Sequence, residues 1–172
     1  TAVNGKAFTF ASWVRWDGGN AWQRIFDFGT DTDSYLFLTP SNNEGMMDFS
    51  ITTGGPDEEH NLTTAALPVG EWTHVAVTLT GNTALLYVNG ELQVAGHIFF
   101  NPEDVFANGA QPRNYIGNSQ FNDPSFNGAM DELRLYDYAL DADSIRELAK
   151  ISSTNSLTAH YPLDETLTDA IS

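Results

Sequence analysis

Apolar residues in this chain alternate with polar ones far more often than they recur at helical spacing. Residues 7–16 put Phe8, Phe10, Ser12, Val14 and Trp16 on one face and Thr9, Ala11, Trp13 and Arg15 on the other, the period of two that marks a strand. Aromatics on both faces predict a central strand of a two-layer sandwich. The turn signal Asp17-Gly-Gly-Asn follows, and a second strand is expected at 23–28 as the neighbour of the first. Further strands are expected at 35–39, stopped by Pro40, and at 46–52. The stretch 54–61 is too polar and too broken for a core element and reads as an exposed loop.

Two alternating runs, 72–80 and 84–88, are joined by Gly81-Asn82, and Asn89-Gly90 turns the chain into another strand near 92–94. This predicts a hairpin extended to a meander, with Val75, Val77 and Leu79 on one face. The loop at 101–112 is rich in Asn, Pro and acids, and a short strand is expected around Tyr115-Ile116. From Gly128 the chain alternates again, Asp131, Leu133 and Leu135 against Glu132, Arg134 and Tyr136, and then changes period. Asp141 is a good N-cap, Asp143 puts negative charge in the first turn, and Ile145 and Leu148 lie three apart, so a helical turn is expected at 142–149. Roughly ten short strands and one short helix describe an all-β sandwich or jelly roll, not alternating β and α units.

Three motifs resemble the laminin G-like jelly rolls of the concanavalin A-like lectin superfamily. They are Phe8-Thr-Phe-Ala-Ser-Trp13, Trp72-Thr-His-Val-Ala-Val-Thr78 with Leu86-Tyr-Val-Asn-Gly90, and the closing segment from Gly128 to Leu148. The resemblance covers about 5–150 and implies a two-sheet antiparallel jelly roll. Residues 159–169 resemble the family's first strand, which usually stands some fifty residues before the strand that opens this chain. Either 158–172 fills that slot, making 1–172 one domain, or it begins a tandem copy. Packing as one unit is the expectation, since an unpaired aromatic strand edge is sticky.

Composition narrows the function. Seven Lys and Arg against 23 Asp and Glu give a net charge of −16, which opposes binding to nucleic acid or anionic membranes. No apolar run approaches the eighteen or so residues a membrane span needs, so no membrane insertion is expected. Without cysteine the chain has neither disulfides nor thiolate chemistry.

Catalytic signatures are missing too. The chain has no Gly-x-Ser-x-Gly elbow, no His-Glu-x-x-His and no Gly-x-x-x-x-Gly-Lys. Glycosidases sharing this architecture carry Glu-x-Asp-x-x-Glu along one strand, a spacing that 130–135 does not provide. The four histidines are scattered and read as structural.

What remains is binding. Sugar sites need flat aromatic faces and planar polar side chains that hold hydroxyl pairs. Trp22, Arg24, Asp27, Tyr35, Asn118, Gln120 and Phe121 come from strand ends and loops that could supply both. The bland alternative is an Arg24–Asp27 structural ion pair with Trp22 covering the core rim. Residues 22–29 and 116–124 resemble stretches of laminin G-like modules attached to bacterial glycoside hydrolases, notably those acting on arabinose-containing glycans. The resemblance implies a secreted or cell-surface bacterial carbohydrate-binding module beside other domains of a larger polypeptide. A calcium-stabilised adhesion module and a glycosidase are the alternatives. It also implies a structural calcium near Asp131, whose carboxylate is expected on the core-facing side of its strand. Asp31 with Asp33 and Asp141 with Asp143 are explained more simply by loop turns and helix capping.

Overall fold

The structure, a computed structural model, describes residues 5–154. The first-strand resemblance at 159–169 and His160 lie outside the described residues. Ten strands run in chain order: β1 (Ala7–Trp16), β2 (Phe26–Gly29), β3 (Tyr35–Thr39), β4 (Met46–Thr52), β5 (His60–Ala65), β6 (Trp72–Thr80), β7 (Thr83–Val88), β8 (Glu91–His97), β9 (Arg113–Ile116) and β10 (Gly128–Tyr136). They form two five-stranded antiparallel sheets, ordered β10-β1-β6-β7-β8 and β5-β4-β3-β2-β9. The result is a jelly-roll sandwich, as the alternation predicts.

The core is the set of residues that alternation turns inward from both sheets. Phe8, Phe10 and Val14 of β1 and Val75, Val77 and Leu79 of β6 face Phe26, Phe28, Leu36, Leu38, Met47, Phe49 and Ile51 of the other sheet. Phe26 is the hinge of an aromatic cluster, with ring centroids 4.5 Å from Phe10 and 4.7 Å from Phe28.

Several expectations need correction. β1 and β2 are not neighbours: the turn after Trp16 carries the chain across to the opposite sheet, where β2 pairs with β3 and β9. The strand expected at 23–28 is shorter, because Gln23, Arg24 and Ile25 approach the sheet as a loop. The stretch taken as loop to Asn61 includes the start of β5, which pairs with β4 through Ile51 opposite His60 and Ser50 opposite Asn61. Only a 3-10 turn, Pro56–Glu58, interrupts the path between them. The loop at 101–112 contains the four-residue helix α1 (Pro102–Val105).

β10 departs from strict alternation. Trp13 pairs with Asp131 but Ala11 pairs with Arg134, so Glu132 and Leu133 together oppose Ser12, and Glu132 takes a left-handed backbone with φ 51°. This is a β-bulge, and it reverses which face each later side chain occupies. Met130 and Leu135 therefore pack on the core while Leu133 is 39% exposed. Asp131, opposite the outward-facing Trp13, lies on the outer face and not on the core-facing side.

The final helix α2 (Ala142–Thr154) is longer than the 142–149 expected but begins as the capping pattern requires, with Asp141 Oδ1 accepting from the Ser144 amide at 2.8 Å. Ile145 is buried with Ala11, Ala76 and Tyr87 on the outer face of the first sheet. Helix α2 thereby caps the sheet remote from β2 to β5 and leaves the other sheet's outer face to the loops.

Candidate functional site

The outer face of the β5-β4-β3-β2-β9 sheet is where the alternation becomes chemistry. Strand register lines up Tyr115, Asp27, Phe37, Ser50 and Asn61 across the five strands, with Asp48 and Tyr35 on the same face in the adjoining rows. The inward neighbours on β2, β3 and β4 are apolar, so this row is the side that would meet water in a bare sheet. Instead Asp27, Tyr35, Phe37, Asp48 and Ser50 are buried, because four loops fold over them.

Each loop is pinned. The Trp22 amide donates to Ser41 O at 2.9 Å, Gly55 N to Asp33 O at 2.8 Å, and Phe126 N to Gly117 O at 2.9 Å, closing the 117–126 loop at its ends. Trp22 holds a left-handed backbone, φ 68°, strain that a bulky residue carries only where surrounding contacts impose it. Gly29 is required for a different reason. A Cβ there would stand 2.3 Å from Ser34 O and 2.7 Å from Tyr35 Cα, backbone atoms of the facing strand, as well as 2.5 Å from the Gln120 amide nitrogen, so any side chain forces β2 and β3 apart at that point.

At the centre lies Arg24, its side chain 4% exposed, with its guanidinium carbon 3.8 Å from the centroid of Phe37 and 5.5 Å from that of Trp22. Nη1 donates to Trp22 O at 2.8 Å, Nη2 meets Asp123 Oδ2 at 3.1 Å, and Nε lies 3.6 Å from Asp27 Oδ2, too far for a hydrogen bond. Asp27 is satisfied from the other side. Its Oδ2 accepts from the Gln120 backbone amide at 3.1 Å and its Oδ1 from Gln120 Nε2 at 3.1 Å, while the single Ser119 hydroxyl proton is shared between Asp27 Oδ2 at 3.3 Å and Asp123 Oδ2 at 3.1 Å. Burial still raises the Asp27 carboxyl above its ordinary range, Gln120 and Arg24 notwithstanding, and burial lowers Arg24.

A second acid pair flanks the first. Tyr35 donates to Glu59 Oε1 at 2.6 Å, and burial raises both groups. Asp48, held by Asn42 Nδ2 at 3.2 Å and Ser50 Oγ at 3.0 Å, is raised by burial as well. Between these groups opens a cavity of about 310 Å³ lined by Trp22, Arg24, Tyr35, Pro56, Glu59, Phe121 and Asp123. Tyr35 and Phe121 meet edge to face at 5.4 Å. The lining thus combines aromatic faces with a fixed donor fork and two carboxylates, what a flat, hydroxyl-bearing ring requires.

The structure brings Trp22, Arg24, Tyr35 and Phe121 together on one cavity, with Asp27 and Gln120 beneath it. Asn118 only starts the loop: its Oδ1 accepts from the Ser119 amide and it does not line the cavity. Arg24 and Asp27 do form a buried ion pair, as the bland alternative has it, but that pair is a wall of the cavity and not a feature apart. Asp131 lies on the other sheet, its Oδ1 accepting from the Glu132 amide at 2.8 Å. Among the described residues no three acidic or imidazole side chains converge as metal ligands. Asp31 behaves as the simpler reading has it, accepting from the amides of Asp33 and Ser34.

The sequence reading missed Glu59, Pro56, Asp123, Phe37 and Asp48. Asp48 and Ser50 had a signal, since they alternate with the apolar Met47, Phe49 and Ile51. Glu59 had none, because its role depends on where the 54–59 loop folds.

Residues 1–146 match the family model of the concanavalin A-like lectin/glucanases superfamily. The chain belongs to that superfamily. Among solved structures, the chain is similar to domain 4 of AbnA, an extracellular GH43 arabinanase from Geobacillus stearothermophilus, in complex with arabinotriose. It is 28% identical, with 86% of this chain and 68% of that one covered and a TM-score of 0.74. The CBM40 domain of the Ruminococcus gnavus intramolecular trans-sialidase, bound to α2,3-sialyllactose, is 18% identical with a TM-score of 0.68 over 84% of this chain and 83% of that one. A pentraxin from Limulus polyphemus is 15% identical with a TM-score of 0.62 over 84% and 70%. The latter two show the shared fold. A search of curated protein sequences finds no match. Among the described residues no helix is long and apolar enough to cross a membrane.

Proposed function

We propose that this chain is a non-catalytic carbohydrate-binding module of a secreted bacterial polysaccharide-degrading enzyme, holding glycan in the cavity between Trp22, Arg24, Tyr35, Glu59 and Phe121. The observation that carries the reading is that cavity itself: aromatic walls around a buried guanidinium, positioned by a register that runs across a whole sheet. A domain 28% identical carries arabinotriose, which supports a sugar as the occupant. That domain belongs to an extracellular arabinanase, which supports a secreted setting beside a catalytic domain. Binding of this kind works by raising the local concentration of polymer at a neighbouring active site.

The non-catalytic part of the reading is supported by the sequence at 130–135, which lacks the Glu-x-Asp-x-x-Glu spacing carried by glycosidases of this architecture. The test is glycan binding by calorimetry, with release of reducing ends followed in parallel. Binding that weakens in Trp22→Ala, with no turnover, is the expected result; turnover of any polysaccharide, or binding indifferent to Trp22 and Arg24, overturns the reading.

Calcium at Asp131 is a separate proposal. It requires a chelator to lower the melting temperature and calcium to restore it. An unchanged melting temperature refutes it.

A further inference from the structure

A second cavity, of about 410 Å³, adjoins the first and shares Trp22 and Glu59 with it. Its other residues are Asn42, Asn43, Glu44, Asp48, Asn61 and Thr63. Asp48, Asn61 and Thr63 stand on the outer faces of β4 and β5, and 42–44 belong to the turn between β3 and β4, so the two cavities form one path across the sheet with Trp22 as the partition. Their chemistry differs sharply. The first presents Trp22, Phe121 and Pro56, surfaces for the apolar face of a ring, with the buried Tyr35 behind them; the second has no aromatic besides Trp22 and presents amide, hydroxyl and carboxylate groups, with Asn43, Asn61 and Thr63 exposed. Together the two cavities offer more room than one monosaccharide fills, and their linings differ in kind, aromatic in one and amide- and hydroxyl-bearing in the other.

Charge completes the argument. Glu44, Asp48, Glu59 and Asp123 line the two cavities and Asp27 lies under the first, while Arg24 is the sole cation in either lining. Arg24 already faces Asp27 and Asp123. A uronate or sialate entering this path would find no unshared cation and several carboxylates, and like charges brought together in a partly desolvated site cost several kcal/mol.

We propose that the two cavities are consecutive subsites for a neutral oligosaccharide of at least two units, its rings stacking in the aromatic cavity and its hydroxyls bonding in the amide-lined one, and that acidic sugars are rejected by the carboxylates around both. This rests on the carbohydrate-binding reading and deepens it by naming the class and minimum length of the ligand. Glu59, common to both cavities, accepts from Tyr35 through Oε1 and sits at the junction the second unit crosses.

The test is calorimetry on the intact chain with arabinose, arabinobiose, arabinotriose and arabinotetraose, and with two pairs that differ in charge, arabinan against polygalacturonate and lactose against 3′-sialyllactose. Affinity is expected to rise at least tenfold from one unit to three, and each neutral member to bind more tightly than its acidic counterpart. Asn61→Trp, which fills the second cavity, is expected to bring the trimer's affinity down to the monomer's; Asn61→Ala, which cannot misfold by crowding, is expected to cut it severalfold. Glu44→Lys is expected to strengthen polygalacturonate binding by at least severalfold. A monomer that binds as tightly as the trimer, an acidic ligand preferred by the unaltered chain, or a trimer indifferent to both Asn61 variants overturns the two-subsite proposal while leaving the carbohydrate-binding reading standing. No binding to any of these glycans overturns both.

Discussion

Replacing Arg24 with Met tests how the site is built. Met keeps an apolar stem but removes the guanidinium that covers Phe37 at 3.8 Å, and with it the 2.8 Å bond to Trp22 O and the charge that faces Asp123 at 3.1 Å and Asp27 at 3.6 Å. Asp27 is fully buried, and breaking a buried ion pair by removing one partner costs about 3–5 kcal/mol, because the remaining charge stays desolvated. At roughly 2–4 °C per kcal/mol for a chain of this size, the melting temperature should fall by about 6–20 °C. The loss should also depend on pH. The folded Asp27 carboxyl is already raised by burial above its ordinary value of 3.8, and losing Arg24 raises it further. A carboxyl raised on folding gains a proton as the chain folds, so its contribution to stability is full below the unfolded value and is lost as pH rises through the folded one. The deficit of Arg24→Met should therefore be larger at pH 8 than at pH 5, and Asp27→Asn in the same background should recover much of it. Urea unfolding of the three proteins at both pH values gives the comparison. A deficit under about 1 kcal/mol, or one equal at the two pH values, would refute the claim that Arg24 is the buried countercharge of Asp27.

Other consequences are open to the same methods. Tyr35→Phe removes the 2.6 Å donor from the half-buried Glu59 and should cost about 0.5–1.5 kcal/mol in urea unfolding, the worth of one net hydrogen bond. His74 is buried and its imidazolium is disfavoured, the value pulled down to about 4 by burial and by Arg134. A histidine depressed on folding contributes stability that is present above its unfolded value of 6.5 and lost as pH falls toward 4. His74→Gln should accordingly flatten the decline over that window, a decline of up to roughly 3 kcal/mol at about 1.4 kcal/mol per pKa unit. Asp141→Ala should lower stability by about 1 kcal/mol through loss of the bond to the Ser144 amide, read as a small shift of the urea midpoint with unchanged slope.

Much of the fold was legible because it depends on near neighbours in the chain. Alternation in 7–16, 46–52 and 72–88 identifies β1, β4 and the β6–β7 hairpin, and the Gly81-Asn82 and Asn89-Gly90 turns carry left-handed backbones where the signals place them. Pairing between distant strands was less legible. β1 and β2 are close in sequence yet belong to different sheets, because alternation says that a segment is a strand but not which edge it joins. The bulge at Glu132 was invisible for a related reason: an inserted residue leaves the local pattern plausible while exchanging faces, which moved Asp131 outward and Met130 inward.

The site divides along the same line. Trp22, Arg24, Asp27 and Tyr35 could be proposed together because they lie close in the chain, on a turn and on the two strands that follow it. Glu59 and Asp123 could not, since each reaches the cavity only through the path of a loop pinned by distant hydrogen bonds, Gly55 to Asp33 and Phe126 to Gly117. The second cavity depends on β5, a strand hidden in the polar stretch His60-Asn-Leu-Thr-Thr-Ala65, where a single buried Leu62 gives too little contrast to announce a strand.

The central claim is that glycan sits against Trp22 and Phe121 on the face of the β5-β4-β3-β2-β9 sheet. Titrating arabinotriose into the intact chain, into Trp22→Ala and into Phe121→Ala by isothermal calorimetry addresses it most directly. Removing a side chain that buries an apolar ring face forfeits about 1.5–3 kcal/mol, so saturable one-site binding is expected to weaken at least tenfold in each variant, with far-UV circular dichroism unchanged. Affinity that is the same in all three proteins, or no binding of arabinotriose by the unaltered chain, would contradict the account.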